Sequence, residues 1–509
     1  MFKKRFISTA LVLVLSMIFA LGIQTANAGK KNDTLTFATK GDLGNVDKIF
    51  NTSRTGMLVQ RLFTDGLLYT DPVTMEIKPA LAASWKWVDA KLLEFELRKG
   101  VKFHDGSEMT ADDVVYTLSY ISDPAVKTKG SYLKKIDRVE KLSPYKVQVH
   151  LKVPYPTMIN RLAGGVSIYK KGCYEKNGNL SQNINPNGTG PYRLTKILDG
   201  KGFVFEKFED YYKESPKGQP TIGKIVIRII KEMNTQVAEV LSGGVDWIFQ
   251  VPSDIADSLA SNPRVTVETG PSMRIKFLRM DAAGRTGDDS PFKKLKVRQA
   301  VSHAVNREEI VNQLVKGSSR VIHSACRPIQ FGCTEDVKRY DYDPEKARQL
   351  LKDAGYPNGF ETKLFSFMDR PILETIMNDL AVVGIKVTLD YSTWPSLVSA
   401  LGKDNVPLTF HGWGSSSLAD VDAILPFFFK LNAQDLARDQ EVTDLIQAGG
   451  SSADPDVRLK NYKKALKLIA ERAYWLPMFS DTMNYVSSND LEFVSPQDGL
   501  PRLFLAKWK

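Results

Sequence analysis

An arginine followed directly by proline, Arg370-Pro371, stands where the chain passes from an extended pattern into a helical one. Thr362, Leu364 and Phe367 read as a strand, and the helical pattern runs to about Val383, with Gly384 as its terminator. Proline is favoured at the first helical position, which makes Arg370 the expected N-cap. The free N–H groups of a helix start attract anions, and a guanidinium there adds a planar fork suited to a carboxylate. A surface salt bridge would use the same spacing. The second candidate stretch is VPLTFHGWGSSSLADVD, Val406 to Asp422. Leu408, Phe410 and Gly412 alternate as one face of a strand. Gly412-Trp413 falls at its carboxyl end, the edge at which open α/β sheets hold ligands. Trp413 sits among Gly and Ser, which points to a cleft, although a tryptophan in the core would have the same neighbours. His411 alternates away from Phe410 and Gly412, so it is expected to face ligand or solvent. Ser415, Ser416 and Ser417 offer small hydroxyl donors.

Other chemistry finds little support. The five histidines are His104, His150, His303, His323 and His411. None forms an i, i+4 pair, and none lies at ligand spacing from a cysteine, so no metal site is expected. There is no G-x-S-x-G elbow and no H-E-x-x-H helix. Asp112-Asp113 and Asp288-Asp289 read as a helix cap and a loop, not as catalytic pairs. Of the three cysteines, Cys326 and Cys333 bracket a short loop that an oxidising compartment could close as a disulfide. Cys173 is left over as a buried thiol.

The elements that must position these residues have clear local signals. Glu94 to Leu97 alternate, so Phe95 and Leu97 face a core. His104-Asp105-Gly106 reads as a turn, and Thr110 caps a helix with Asp113 completing a T-x-x-D box. Tyr145 to Leu151 and Lys224 to Ile230 read as strands, Asn234 to Gly243 and Val297 to Ala304 as helices. Asn306 caps a further helix with Glu309 at N3, and Asp343-Pro344 and Asp454-Pro455 open two more. Mixed α/β structure follows.

The N-terminus reads as an address. Lys3, Lys4 and Arg5 precede an apolar run from Ile7 to Ile23, and Ala26-Asn27-Ala28 is an A-x-A cleavage signal. No cysteine follows, so a lipid anchor is not expected, and a Gram-negative periplasm is. No later segment reaches the ~20 apolar residues needed to span a bilayer. The 509 residues carry a net charge of +11, which falls to +8 once the three basic residues of the leader are set aside. The Lys and Arg are scattered and no basic run interleaves aromatics. Nucleic acid is therefore not an expected partner, and a mild preference for anions is.

The run LAASWKWVDAKLLEFELRKGVKFHDGSEMTADDVVYTL, Leu81 to Leu118, resembles the hallmark of the family 5 extracellular solute-binding proteins, which serve peptide, nickel and related ABC importers. Gly188-Thr189-Gly190-Pro191-Tyr192, Gly244-Val245-Asp246-Trp247 and Val297 to Arg307 are similar to further elements of that family. The resemblance runs from about Leu35 to the C-terminus. It implies an α/β, periplasmic binding protein-like fold: two lobes with a hinge plus an extra inserted α/β subdomain. On that plan 1–28 is a signal peptide, 29–56 the first part of lobe I and 57–183 the inserted subdomain. Lobe I resumes over 184–270, lobe II covers 271–480, and 481–509 return to lobe I.

The resemblance also implies a periplasmic substrate-binding protein of an ABC importer. It would close over a small peptide-like, opine-like or other carboxylated solute and deliver it to the permease transmembrane subunits, as a monomer without cofactor or catalysis. A sugar or a metal chelate in the same fold is the alternative, and a periplasmic hydrolase a more distant one. By resemblance, Arg370 matches the clamp for a peptide's C-terminal carboxylate, and Trp394 and Trp413 match pocket-lining tryptophans. The chain departs from the peptide binders at Ser416, where they carry an Asp that pairs with the peptide's amino group. A buried ammonium without a counter-charge is costly. A neutral polar or carboxylated solute therefore suits Ser415 and Ser416 better than a free α-amino terminus does.

Overall fold

The structure, a computed structural model, describes residues 28–509 apart from 42–44, 48, 51–52, 129, 199, 318 and 416–417. The expected leader thus lies outside the described residues except for Ala28. Among the described residues, no helix is long and apolar enough to cross a membrane.

The strands that build the site are, in chain order, β1 (Thr34–Thr39), β2 (Ala82–Asp89), β3 (Leu92–Leu97), β4 (Ile136–Ser143), β5 (Lys146–Leu151), β6 (Tyr192–Leu198) and β7 (Gly202–Lys207). They continue as β8 (Lys224–Ile229), β9 (Trp247–Phe249), β10 (Val265–Met280), β11 (Phe360–Ser366), β12 (Ile385–Tyr391), β13 (Leu408–Gly414) and β14 (Trp475–Ser488). The helices that concern the site are α1 (Arg54–Phe63), α2 (Ala111–Ser122), α3 (Met158–Gly165) and α4 (Arg370–Val382).

Ten strands form one sheet in the order β12-β11-β13-β10-β14-β9-β1-β8-β7-β6, and β2-β3-β5-β4 form a second. β10 and β14 are the long central pair, and they belong to both halves of the large sheet. Val265 to Pro271 pair with Thr482 to Ser488 on the side of β9, whereas Ile275 to Arg279 pair with Trp475 to Ser480 on the side of β13. The ladder is interrupted between Pro271 and Ile275. Such an irregularity bends and twists a strand pair, and here it separates the stretch beside β9 from the stretch beside β13. Each lobe has its own apolar core. Phe37, Leu62, Phe95, Leu118 and Tyr192 belong to one that also takes in the small sheet, while Leu278, Val301, Leu373 and Phe410 belong to another.

Local chemistry accounts for the signature run. Thr110 and Asp113 form a reciprocal capping box at the start of α2. Gly188 and Gly190 pass so close to the end of α1 that a Cβ on either would stand 1.9 Å from Phe63 O or 2.5 Å from Phe63 C. Only glycine fits there. The His104 ring locks the same crossing: Gly188 N–H donates to Nδ1 at 3.4 Å, and Nε2 bonds Gly190 O at 3.0 Å. That pattern requires the neutral imidazole with its proton on Nε2.

Burial, above all, lowers the His104 pKa to about 4. Its folded value lies below the ordinary ~6.5, so the unfolded chain takes up the proton first as pH falls. The wild type should therefore lose about 2 kcal/mol of stability between pH 7 and pH 5 through this residue. Urea unfolding of wild type and His104→Gln at both pH values should show that difference between the two proteins changing accordingly. An unchanged difference would show that His104 is not neutral in the folded state.

Candidate functional site

A cavity of about 580 Å³ lies between the lobes. One wall carries Tyr132, Lys135, Tyr155, Asn160 and Arg161, and the other Trp413, Asp422, Phe427 and Lys430. Tyr155 precedes α3, and Arg161 rises from that helix, whose first turn also supplies Asn160. The opposite wall begins at Trp413 on β13 and continues through the segment that follows it.

The charges in this cavity are poised on aromatic rings. Lys135 Nζ lies 3.9 Å from the centre of the Tyr155 ring, and the Arg161 guanidinium 5.0 Å from that of Tyr132. Arg161 Nε also donates to Tyr155 Oη at 3.4 Å. A cation over a ring face is held in place without being neutralised. Among the described residues, Lys135, Arg161 and Lys430 close no ion pair with a carboxylate. Burial lowers the Lys135 pKa, with the Asp422 charge pulling the other way. Burial also opposes the charge on Arg161, but Tyr155 and Asp422 outweigh it and the pKa is raised.

Asp422 is held mainly by hydroxyls. Thr157 Oγ1 donates to it at 3.1 Å from the opposite wall, and Tyr462 Oη donates at 3.3 Å from behind. The Thr157 bond joins the two lobes directly. Three basic groups and one acid therefore face a space walled by Tyr132, Tyr155, Trp413 and Phe427. Such a space suits a net negative solute with an apolar or planar part.

The structure brings the expected residues only partly into this space. Trp413 lines it, stacked on Phe427 with ring centres 4.3 Å apart and Nε1 directed at Ala423 O, 3.4 Å away. Trp394 stands behind, 6.5 Å from Trp413 and 5.8 Å from Phe367 by ring centres. His411 faces neither solvent nor this cavity. It is fully buried among Phe277, Trp394 and Phe428, with ring centres 4.7, 5.6 and 5.7 Å away. Burial, then the charge of Arg279, pushes its pKa well below the ordinary value, so the ring is neutral. Alternation along β13 correctly sends His411 away from Phe410, but the far face of the sheet is covered by a second aromatic core, which periodicity cannot reveal.

Arg370 is not the cap of α4. Asp369 takes the non-helical cap conformation, Arg370 is the first helical residue and Pro371 the second. Proline is accepted at either position because both N–H groups lack a partner in the helix. The exposed Arg370 guanidinium rests 4.4 Å from the Tyr391 ring centre, at the carboxyl edge of β11 and β12. It is not among the residues lining the cavity. Ser415 is buried, and its hydroxyl accepts from Gln330 Nε2 at 2.7 Å. Ser416 lies outside the described residues.

Gln330 is a supporting residue that the sequence hid. It sits in the loop closed by a Cys326–Cys333 disulfide. Its amide also reaches the Leu418 and Asp420 carbonyls at 3.4 and 3.3 Å, and Phe331 N–H donates to Ala419 O at 2.9 Å. The bridged loop thus props Ser415 and the stretch from Leu418 to Asp420. Removing the bridge as Cys326→Ser/Cys333→Ser should cost about 2.5 kcal/mol, the loop-closure value for so short a ring. Hydrogen exchange over 415–422 should accelerate with it. Unchanged thermal stability together with unchanged exchange would dismiss the prop. Cys173 is unbridged, and burial followed by the charge of Asp47 pushes its thiol up to about 12, which leaves it unreactive.

Among the described residues, no group of three or more His, Cys, Asp or Glu stands where it could hold a metal ion. Lys135, Arg161, Asp422 and Lys430 come from segments with no common motif. A count of scattered basic residues is the one trace they leave in the sequence.

Relatives share this architecture. The glutathione-binding protein GsiB of Escherichia coli (strain K12) is 29% identical over 512 residues, covering 95% of this chain and 97% of the relative. The PBP AgaA from A. tumefaciens R10, solved in complex with agropinic acid, is 28% identical, with a TM-score of 0.75 over 94% of this chain and 99% of that one. The ABC transporter substrate binding protein CtaP from Listeria monocytogenes, at 22% identity, shares the fold with a TM-score of 0.83 over 95% of this chain and 99% of that one. Residues 76–435 match the bacterial extracellular solute-binding proteins, family 5 Middle, and the chain belongs to that family.

Proposed function

We propose that this protein captures a small carboxylated solute of peptide-like or opine-like character in the cleft between its lobes and hands it to an ABC permease. The observation that carries this reading is the interlobe cavity of about 580 Å³, in which Lys135, Arg161 and Lys430 face a single acid, Asp422, between aromatic walls. Cations held on aromatic rings and not matched by a carboxylate favour an anion that completes their hydrogen bonds. The names of the relatives agree with that chemistry: one binds glutathione and another was solved with agropinic acid. In this reading Arg161 and Lys135 hold the solute from lobe I and Trp413 stacks on it from lobe II. Arg370, free of any ion pair among the described residues and resting on Tyr391 outside the cavity lining, is the candidate for a carboxylate of a solute that extends beyond the cavity. Solute contact with both lobes stabilises the closed form over the open one, and only that difference in affinity drives closure.

The protein acts in the periplasm after cleavage behind Ala28, and the permease subunits read the paired lobe surfaces. Native mass spectrometry of the protein purified from periplasm, followed by calorimetric titration with glutathione, dipeptides and opines, tests this. A carboxylated solute bound without turnover is the expected result. Selective binding of a neutral sugar, or formation of product, would overturn it.

A further inference from the structure

Away from the 580 Å³ cavity, a second group of basic side chains gathers where β10 and β14 cross. Arg274 and Lys276 lie on β10 directly opposite Gly414 and Gly412 of β13. Those glycines make the space the long side chains occupy. A Cβ on Gly412 would stand 2.8 Å from Lys276 Cδ, and one on Gly414 would stand 3.0 Å from Arg274 Cγ. Both cations share one carboxylate, Asp481, at 3.6 Å from Arg274 Nε and 3.5 Å from Lys276 Nζ. Neither distance is that of a tight ion pair. Among the described residues, Lys276 Nζ otherwise reaches only a thioether, Met368 Sδ, at 3.3 Å.

A third cation enters from the other lobe. Arg54, the first residue of α1, approaches β14 and meets Met483 Sδ at 3.9 Å. It closes no ion pair among the described residues. Burial, then repulsion from Arg274, holds its guanidinium down to about 10. The neighbouring Asp498 is already committed to Arg502 at 2.8 Å. Arg274 and Lys276 thus share one acid, and Arg54 reaches the same strand from the other lobe. Arg274 and Asp481 keep 30% and 24% of their side-chain surface.

We propose that Arg54, Arg274 and Lys276 form an anion subsite at the crossing strands, which takes a carboxylate-sized oxyanion and draws α1 of lobe I onto β10 of lobe II. The subsite rests on the solute-binding reading above and extends it: a solute with a second carboxylate would place that group here. A free small oxyanion has the same chemistry. Its negative charge removes the repulsion between Arg54 and Arg274 and replaces the weak Lys276 to Met368 contact with a charge-assisted hydrogen bond.

Thermal unfolding of the mature protein against succinate tests the subsite without knowledge of the natural solute, with ionic strength held constant by sodium chloride. Succinate should raise the melting temperature saturably, and the midpoint should rise about ten-fold or more in Lys276→Met and in Arg274→Gln, as expected for loss of a charged hydrogen bond. Each variant should be native by circular dichroism, and the two together guard against one that fails to fold. No saturable effect in the wild type, or a midpoint in both variants equal to that of the wild type, would overturn the subsite. Calorimetry with glutathione separates the two readings. Glutathione bound equally by wild type and variants removes the subsite and leaves the cavity reading standing. Succinate bound, but no carboxylated peptide or opine, keeps the subsite and removes the proposed solute class.

Discussion

Arg161→Gln should weaken binding of a carboxylated solute by about 2–5 kcal/mol, the range for truncating one partner of a desolvated charged pair. Its guanidinium is anchored on Tyr132 and Tyr155, and the residue lines the cavity. Glutamine keeps some packing over Tyr132 and removes the charge. The loss should appear mostly as faster dissociation, because the group acts after encounter. Calorimetry with the solute that co-purifies gives the affinity, and stopped-flow tryptophan fluorescence from Trp413 gives the rates. Unaltered affinity in Arg161→Gln would move the carboxylate elsewhere. Arg370→Ala is the natural comparison. It would lose more than Arg161→Gln only if the solute's carboxylate sits at the rim beside Tyr391.

Lys217→Met should destabilise the protein by about 3–5 kcal/mol, the cost of leaving one member of a buried pair alone. Lys217 and Asp65 meet at 2.7 Å with 7% and 1% of their side chains exposed. Lys217 Nζ also donates to the Arg61 and Thr64 carbonyls, both at 2.8 Å, so it satisfies the end of α1 as well. Burial raises the Asp65 pKa and lowers that of Lys217, which shows how strongly the site resists charge. In the variant, Asp65 should take up a proton above its unfolded pKa, so the deficit should shrink as pH falls. Urea unfolding of Lys217→Met at pH 7 and pH 5 measures this. The double variant Asp65→Asn/Lys217→Met should recover part of the loss. A single variant as stable as the wild type would mean the pair is not buried in solution.

Much of the scaffold is legible residue by residue. Thr110 and Asp113 announce the start of α2 because a capping box needs only neighbours along the chain. Gly188 and Gly190 are recognisable as a pattern, yet their reason, the passage beside Phe63, exists only once α1 lies against them. Arg370-Pro371 signals a helix start but leaves the cap uncertain by one residue, since proline fits the first turn at two positions. Trp413 emerges from its Gly and Ser neighbours as a cleft residue. His411, two residues earlier on the same strand, emerges wrongly, because the layer that buries it comes from Phe277 and Phe428.

Local pattern therefore indicated the α/β class and many of the helix and strand positions, since each depends on spacing within a dozen residues, while the family came from the resemblance of the Leu81 to Leu118 run and the shorter motifs. Tertiary structure alone decided which basic groups meet. Arg161 and Asp422 line one cavity because α3 and the residue before it stand against the segment after β13, and Arg274 and Lys276 share Asp481 because β10 pairs with β14. Charge interactions fall off with distance in space, not along the chain. A lysine or arginine reads the same in the sequence whether water or an unfilled cavity surrounds it, and only the closure of one lobe against the other makes that distinction.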